Sequence, residues 1–81
     1  MADRLEVRVP KMGMDTTEVT IANWLVSQGD PVVEGTPLVE LESEKTVFVL
    51  ESEAAGEVLT IVQSSGATVP IGEVLCVLGR R

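Results

Sequence analysis

The sequence predicts an all-β fold, a sandwich or flattened barrel built from short strands. Three observations carry that prediction. First, apolar residues make up 44% of the 81 positions and are mainly Val, Leu and Ile, with Trp24 and Phe48 the only aromatics. β-branched side chains are stiff at χ1 and pack well on a pleated surface, so this composition favours strands. Second, no segment sustains an apolar period of 3.6 over the length of a helix, whereas Leu5–Val9 alternates with period two. Third, Gly13, Gly29, Gly35, Gly56, Gly66 and Gly72 punctuate the chain, with Pro10, Pro31, Pro37 and Pro70 beside several of them.

The elements follow in order from an internal repeat. After the strand at Leu5–Val9, the apolar positions Ile21, Trp24 and Leu25 lead into Gly29, Val32 and Gly35, which have the pattern G-x-x-V-x-x-G. The same pattern returns 37 residues later as Gly66, Val69 and Gly72. At that offset Ile21, Trp24 and Leu25 match Val58, Ile61 and Val62, while Leu38 and Leu41 match Leu75 and Leu78. Two copies of one strand–turn–strand unit are implied. Neither buries its apolar face alone, so the two pack together. Carrying Lys45 forward by the same offset leads one position past Arg81, so the second copy's counterpart of the Lys45 turn is where the chain begins and ends. If a pseudo-two-fold relates the units, Lys45 and the termini lie at opposite poles.

Between the copies, Leu38–Glu42 and Thr46–Glu51 read as two strands joined by a turn at Glu44 and Lys45. A two-residue turn pairs Ser43 with Thr46, Glu42 with Val47, Leu41 with Phe48, Glu40 with Val49 and Val39 with Leu50. Side chains alternate across a strand, so Val39, Leu41, Phe48 and Leu50 share one face, and Glu40, Glu42, Val47 and Val49 the other. The first set is wholly apolar and is expected in the core with Trp24. A slip of one residue would oppose apolar side chains with glutamates, which specifies the register. Glu-Lys is not a favoured primed-turn pair, which leaves a type I-like tip or a longer loop. The last strand contains Val74–Leu78, with Cys76 expected as a small core residue.

Bulk properties narrow the function. A chain of 81 residues holds a single domain, 1–81, with its core from about 5 to 79. It buries only about 60–65% of its unfolded surface. There is no His and one Cys, which excludes a zinc cluster, a His-based triad and an intramolecular disulfide. The absence of a disulfide framework and of a signal peptide favours a reducing compartment. The net charge of −7 repels phosphate backbones, so no nucleic-acid partner is expected. No apolar run nears the ~20 residues that span a bilayer, so no membrane partner is expected either.

That leaves Lys45, on a tip where a side chain is most exposed. A solvated lysine is protonated at neutral pH, and neighbouring carboxylates such as Glu42 and Glu44 favour the cation, the opposite of nucleophile activation. On this reading Lys45 is ordinary solubilising charge, unless a separate enzyme acylates it.

The residues also resemble a family. Val9 to Met14, Trp24 and Leu25, Gly29 and Asp30, Val32, Gly35, Leu38, Glu40 to Glu42, and Glu44 and Lys45 match in order and spacing the lipoyl domains of acyltransferase components of 2-oxo acid dehydrogenase complexes. Gly56, Gly66, Val69 and Gly72 complete the pattern, which runs from Val7 to Leu78. The resemblance implies two four-stranded antiparallel sheets related by a pseudo-two-fold, a barrel-sandwich hybrid. It implies lipoic acid amide-linked to Lys45, with Glu44, Thr46 and Glu42 presented to a lipoate ligase or lipoyl transferase. The implied partners are a thiamine-diphosphate-dependent decarboxylase, the acyltransferase core and a flavin-dependent dihydrolipoyl dehydrogenase. The family's decarboxylase-recognition loop falls here on Met12, Gly13, Met14, Asp15, Thr16 and Thr17. The domain would be a non-catalytic carrier, cytoplasmic in a bacterium or in the mitochondrial matrix of a eukaryote.

One departure from the family is the turn, Glu44-Lys45-Thr46 in place of the usual Asp-Lys-Ala. The acid is kept in kind and Thr suits a strand, so modification is expected to survive. Outer-face Val47 and Val49 are more apolar than that surface requires. Two other readings stand beside the lipoyl one: a biotinyl carrier, whose family has Met-Lys-Met at this turn, and an unmodified interaction module with the same fold. Pyruvate, 2-oxoglutarate, branched-chain and acetoin complexes all fit the pattern.

Overall fold

Eight short strands separated by the Gly and Pro turns make up residues 4–11 and 16–79, which the computed structural model describes. They are β1 (Arg4–Arg8), β2 (Glu18–Trp24), β3 (Pro31–Val32), β4 (Pro37–Glu42), β5 (Val47–Glu51), β6 (Gly56–Ile61), β7 (Thr68–Pro70) and β8 (Val74–Gly79). Two four-stranded sheets result, ordered β1-β8-β6-β3 and β5-β4-β2-β7, and every pairing is antiparallel.

The sequence repeat is a repeat of pairing. In one sheet Thr20, Ile21, Asn23 and Trp24 face Glu42, Leu41, Glu40 and Val39. In the other, the residues 37 further on do the same: Glu57, Val58, Thr60 and Ile61 face Gly79, Leu78, Val77 and Cys76. The register shifts also coincide, between Ile21 and Asn23 in one copy and between Val58 and Thr60 in the other. Gly29 and Gly66 turn the chain at φ of 94° and 93°, a left-handed conformation that a Cβ disfavours. Their N–H groups donate to each other's copy, Gly29 to the Val58 carbonyl and Gly66 to the Ile21 carbonyl, both at 2.7 Å. This crossed pair of hydrogen bonds stitches the two units together.

The symmetry closes on a strand from the far end of the chain. β5 pairs with β4 in the expected register, Glu42 with Val47 through Val39 with Leu50. Its counterpart is β1, which pairs with β8 as Arg4 with Gly79 through Val7 with Cys76. The place equivalent to the Lys45 turn is therefore taken by the paired ends of β1 and β8.

Symmetry-related side chains fill the core: Ile21 and Val58, Val32 and Val69, Leu38 and Leu75, Val39 and Cys76, Leu41 and Leu78 are all buried. Leu38 and Val39 both point inward because the pairing shifts between Pro37 and Val39, which brings two consecutive side chains to the core face. Ser52 is the buried polar residue among those described. Its hydroxyl donates to the Ala54 carbonyl at 2.6 Å, and its backbone pairs with Gly35 and Thr36. Trp24 is half-buried against the core and its indole N–H donates to the Gln63 carbonyl at 2.7 Å, so it serves structure as expected.

Phe48 departs from expectation. It lies on the face the register assigns, opposite Leu41, yet remains 37% exposed. β5 is an edge strand, with a neighbour on one side only, so among the described residues no further strand covers the ring. Leu50 is half-buried for the same reason and packs against the core. The strand also starts at Val47 rather than Thr46, which belongs to the turn.

Cys76 is fully buried as a core residue, in the place that Val39 takes in the other copy. Burial desolvates the thiolate and pushes the thiol up to about 11 from its usual 9.0. The unfolded chain therefore releases this proton first as pH rises. Stability from this group is fully present below pH 9 and is lost as pH climbs to about 11. A loss of about 2 kcal/mol over that window is expected. Denaturant melts at several alkaline pH values check it, since Cys76→Val should remove this component of the pH dependence.

Candidate functional site

The Lys45 tip is built on the β4–β5 hairpin and closed by a serine. The Ser43 N–H donates to the Thr46 carbonyl at 2.9 Å, which sets the last backbone rung. Its hydroxyl oxygen also accepts from the N–H groups of Thr46 at 3.3 Å and Lys45 at 3.4 Å. No non-glycine residue among those described has a positive φ. The primed turns, which need one at the first central position, are thus ruled out at Glu44 and Lys45. A Ser side chain standing in for backbone is what lets an unfavoured Glu-Lys pair hold a two-residue tip. Sequence reasoning missed Ser43. Its signal was a short hydroxyl residue directly before the turn, the usual place for one that bonds the backbone two and three residues on.

Replacing this hydroxyl is expected to loosen the tip without unfolding the domain. The bonds are long, so Ser43→Ala should cost about 0.5–1 kcal/mol. Amide hydrogen exchange should quicken at Lys45 and Thr46, with the β4–β5 pairing beyond them unchanged.

Lys45, Glu44, Thr46 and Glu42 are all exposed. Beside them runs a groove of about 390 Å³ lined by Thr16, Thr17, Glu18, Thr20, Thr68, Glu42, Ser43, Glu44 and Lys45, with Val19 at its base. The structure thus brings Thr16 and Thr17 to the lysine hairpin; Met12, Gly13, Met14 and Asp15 lie outside the described residues. Thr17 is held there because its carbonyl accepts from the Ile71 N–H at 3.1 Å, which ties the segment before β2 to the second copy's turn. Thr20 and Thr68 hydroxyls meet across β2 and β7 at 3.1 Å and form part of the same wall. These two were not singled out from sequence, because the contact joins residues far apart in the chain.

Among the described residues Lys45 makes no ion pair, although three glutamates share its groove. Lys11, the chain's other lysine, is also exposed but lies outside the strands. The geometry offers one primary amine on a fixed, solvent-facing tip. An enzyme that activates a carboxylic acid can acylate such an amine.

Comparison with known proteins identifies the family. A family model described as "Biotin-requiring enzyme", the biotin/lipoyl family, matches residues 5–78. The chain is 40% identical over 74 residues to the dihydrolipoyllysine-residue succinyltransferase component of the 2-oxoglutarate dehydrogenase complex of Staphylococcus saprophyticus, covering 91% of this chain and 18% of that protein. It is 35% identical over 75 residues to the dihydrolipoyllysine-residue acetyltransferase component of the pyruvate dehydrogenase complex of Zymomonas mobilis, covering 91% of this chain and 17% of the relative. The chain thus spans under a fifth of the length of these relatives. Among solved structures, the lipoyl domain of the 2-oxoglutarate dehydrogenase complex from Azotobacter vinelandii superposes with a TM-score of 0.75 at 30% identity, covering 90% of this chain and 92% of that one. A single-chain, multi-domain long-chain acyl-CoA carboxylase shares the fold, with a TM-score of 0.83 at 22% identity over all of this chain and 7% of that one. The chain belongs to the biotin/lipoyl-attachment family and is a lipoyl-type carrier domain within it.

Proposed function

We propose that Lys45 is the attachment point for lipoic acid and that the domain carries acyl groups and electrons within a 2-oxo acid dehydrogenase complex. The observation that supports this best is the exposed Lys45 amine on the Ser43-stitched tip, unpaired by any carboxylate among the described residues. Such an amine fits an amide-linked group, since neither burial nor an ion pair must be undone to acylate it. Lipoate supplies, when bound, a dithiolane that can carry an acyl group and a pair of electrons. The chain's own residues hold the backbone of the tip in place. The β4–β5 pairing fixes the direction of the tip, and Ser43 keeps it from fraying.

Glu42, Glu44 and Thr46 surround the lysine and are the surface a lipoate ligase or lipoyl transferase meets. Thr16 and Thr17 stand in the adjoining wall, where a thiamine-diphosphate-dependent decarboxylase engages the tip. The acyltransferase core and a flavin-dependent dihydrolipoyl dehydrogenase are the remaining partners. Tethering one arm among these sites raises its effective concentration at each, which is the gain from covalent attachment.

Intact-mass measurement after co-expression with a lipoate ligase and lipoate, or with a biotin ligase and biotin, tests the proposal. A lipoyl adduct mapped by peptide digestion to Lys45 rather than Lys11 is the expected result. A biotin adduct would assign the domain to the other branch of the family, and no adduct in either experiment would leave an interaction module.

A further inference from the structure

The internal symmetry provides a control for what the fold itself requires. Equivalent core positions carry similar residues in both copies, but equivalent outer-face positions do not. On the face beside Lys45, the cross-strand neighbours are Glu42 with Val47, Glu40 with Val49, and Pro37 with Glu51. Their counterparts are Gly79 with Arg4, Val77 with Glu6, and Val74 with Arg8. The Arg4 face carries both signs, and Arg8 and Glu6 form an ion pair at 2.6 Å. The Lys45 face has no cation along these strands, and no ion pair neutralises Glu40, Glu42 or Glu51 among the described residues. At its centre Val47 and Val49 are 60% and 40% exposed. Strand pairing does not require the open valines, since on the equivalent strands the outer-face Val74 and Val77 are half-buried, and it does not require a face of one sign, since β1 carries both.

We propose that this outer face of β4 and β5, centred on Val47 and Val49 and rimmed by Glu40, Glu42 and Glu51, is the docking surface for the arm-receiving decarboxylase. The complementary patch on that enzyme is apolar at the centre and ringed by Lys and Arg. The proposal rests on the carrier reading of Lys45. Charge complementarity selects the occupant: an apolar contact with an acidic rim is matched by a basic rim, which steers encounter and excludes acidic surfaces. A second copy of this chain fits badly, because facing copies would oppose the same glutamates. The face adjoins the tip through Glu42 and Val47, so a partner seated on it has Lys45 at its edge, ready to enter a nearby active-site channel.

The test uses the chain itself, lipoylated by co-expression, as substrate for the decarboxylase of a 2-oxo acid complex that reductively acylates it. Val49→Thr and Glu40→Gln/Glu51→Gln are compared with wild type, and Glu6→Gln on the symmetric face is the control. All should be fully lipoylated by intact mass. The face variants should lose about tenfold in kcat/KM through KM, with kcat within twofold. The double glutamine variant should also show a weaker salt dependence than wild type. Free lipoamide should be acylated at one rate whichever chain is present. Unchanged kcat/KM in both face variants, or an equal loss in Glu6→Gln, overturns the proposal while leaving Lys45 as the attachment point. A lipoyl adduct absent from wild type overturns the carrier reading and the docking assignment with it. Sedimentation showing a dimer that Val49→Thr dissociates would give the face to a second copy and overturn the proposal too.

Discussion

Lys45→Arg is expected to abolish modification completely while leaving the fold as stable as before. Arginine keeps the positive charge and much of the length of the side chain, but its guanidinium stays protonated in proteins and is no substrate for amide formation. The tip is held by Ser43 and Thr46 rather than by the lysine, which is exposed and makes no ion pair among the described residues. The other half of the molecule makes the point independently. There the equivalent place is taken by the paired ends of β1 and β8, and that sheet forms all the same. Stability should therefore stay within about 0.5 kcal/mol of wild type in denaturant melts. Intact mass should show no adduct under conditions that fully lipoylate wild type. An adduct persisting in Lys45→Arg would move the attachment elsewhere, and a large loss of stability would show that the tip lysine is structural.

The largest stability effect is expected at the centre of the core. Leu41 is fully buried and faces Ile21 on one side and Phe48 on the other; Leu78 holds the matching place between Val58 and Leu5. Truncating either to Ala removes a buried isobutyl group and leaves a cavity, which costs about 2–5 kcal/mol. A domain of this size has roughly 4–12 kcal/mol in total, so each variant should lie near the edge of folding. Phe48→Ala serves as the contrast. As a fully buried ring it would cost about 3–5 kcal/mol. With more than a third of it in water on an edge strand, about 1–2 kcal/mol is expected instead. Melts in which Phe48→Ala is as damaging as Leu41→Ala would contradict the exposed position of the ring.

The ranking of those two residues shows where the sequence could be read and where it could not. Hairpin pairing from Val39–Leu50 to Glu42–Val47 was legible because a wrong register would bury glutamates, an energetic penalty visible in the string of letters. The repeat was legible because glycines with positive φ tolerate few substitutes, so the turns mark both copies. The exposure of Phe48 was not legible. Register assigns a side chain to a face, but what covers that face depends on the order of strands in the sheet, and no local pattern shows that β5 lies at an edge. The groove wall was hidden for a similar reason, since Thr20 and Thr68 meet only after the copies have crossed. Ser43 was a different kind of omission. Its signal is local, a hydroxyl residue directly before the turn, and it is what makes the unfavourable Glu-Lys pair workable. The chemistry around Lys45 does not name the arm proposed for it; that proposal rests on the family resemblance.

The pairing of β1 with β8 also bears on how the domain is made. These are the first and last strands described, so one sheet joins the two ends of the domain. Contacts of such long sequence separation pay their loop-closure entropy before they return any stability, which makes folding slow and cooperative. During synthesis the β4–β5 hairpin can form as soon as it is clear of the ribosome, because its partners are neighbours in sequence. The sheet containing β1 must wait until Gly79 has emerged. Until then the apolar sides of Leu5, Val7 and Val58 have no β8 to lie against. A modifying enzyme that needs only the hairpin would find the proposed site before the domain is finished, whereas one that reads the whole fold would act only once β8 has paired with β1.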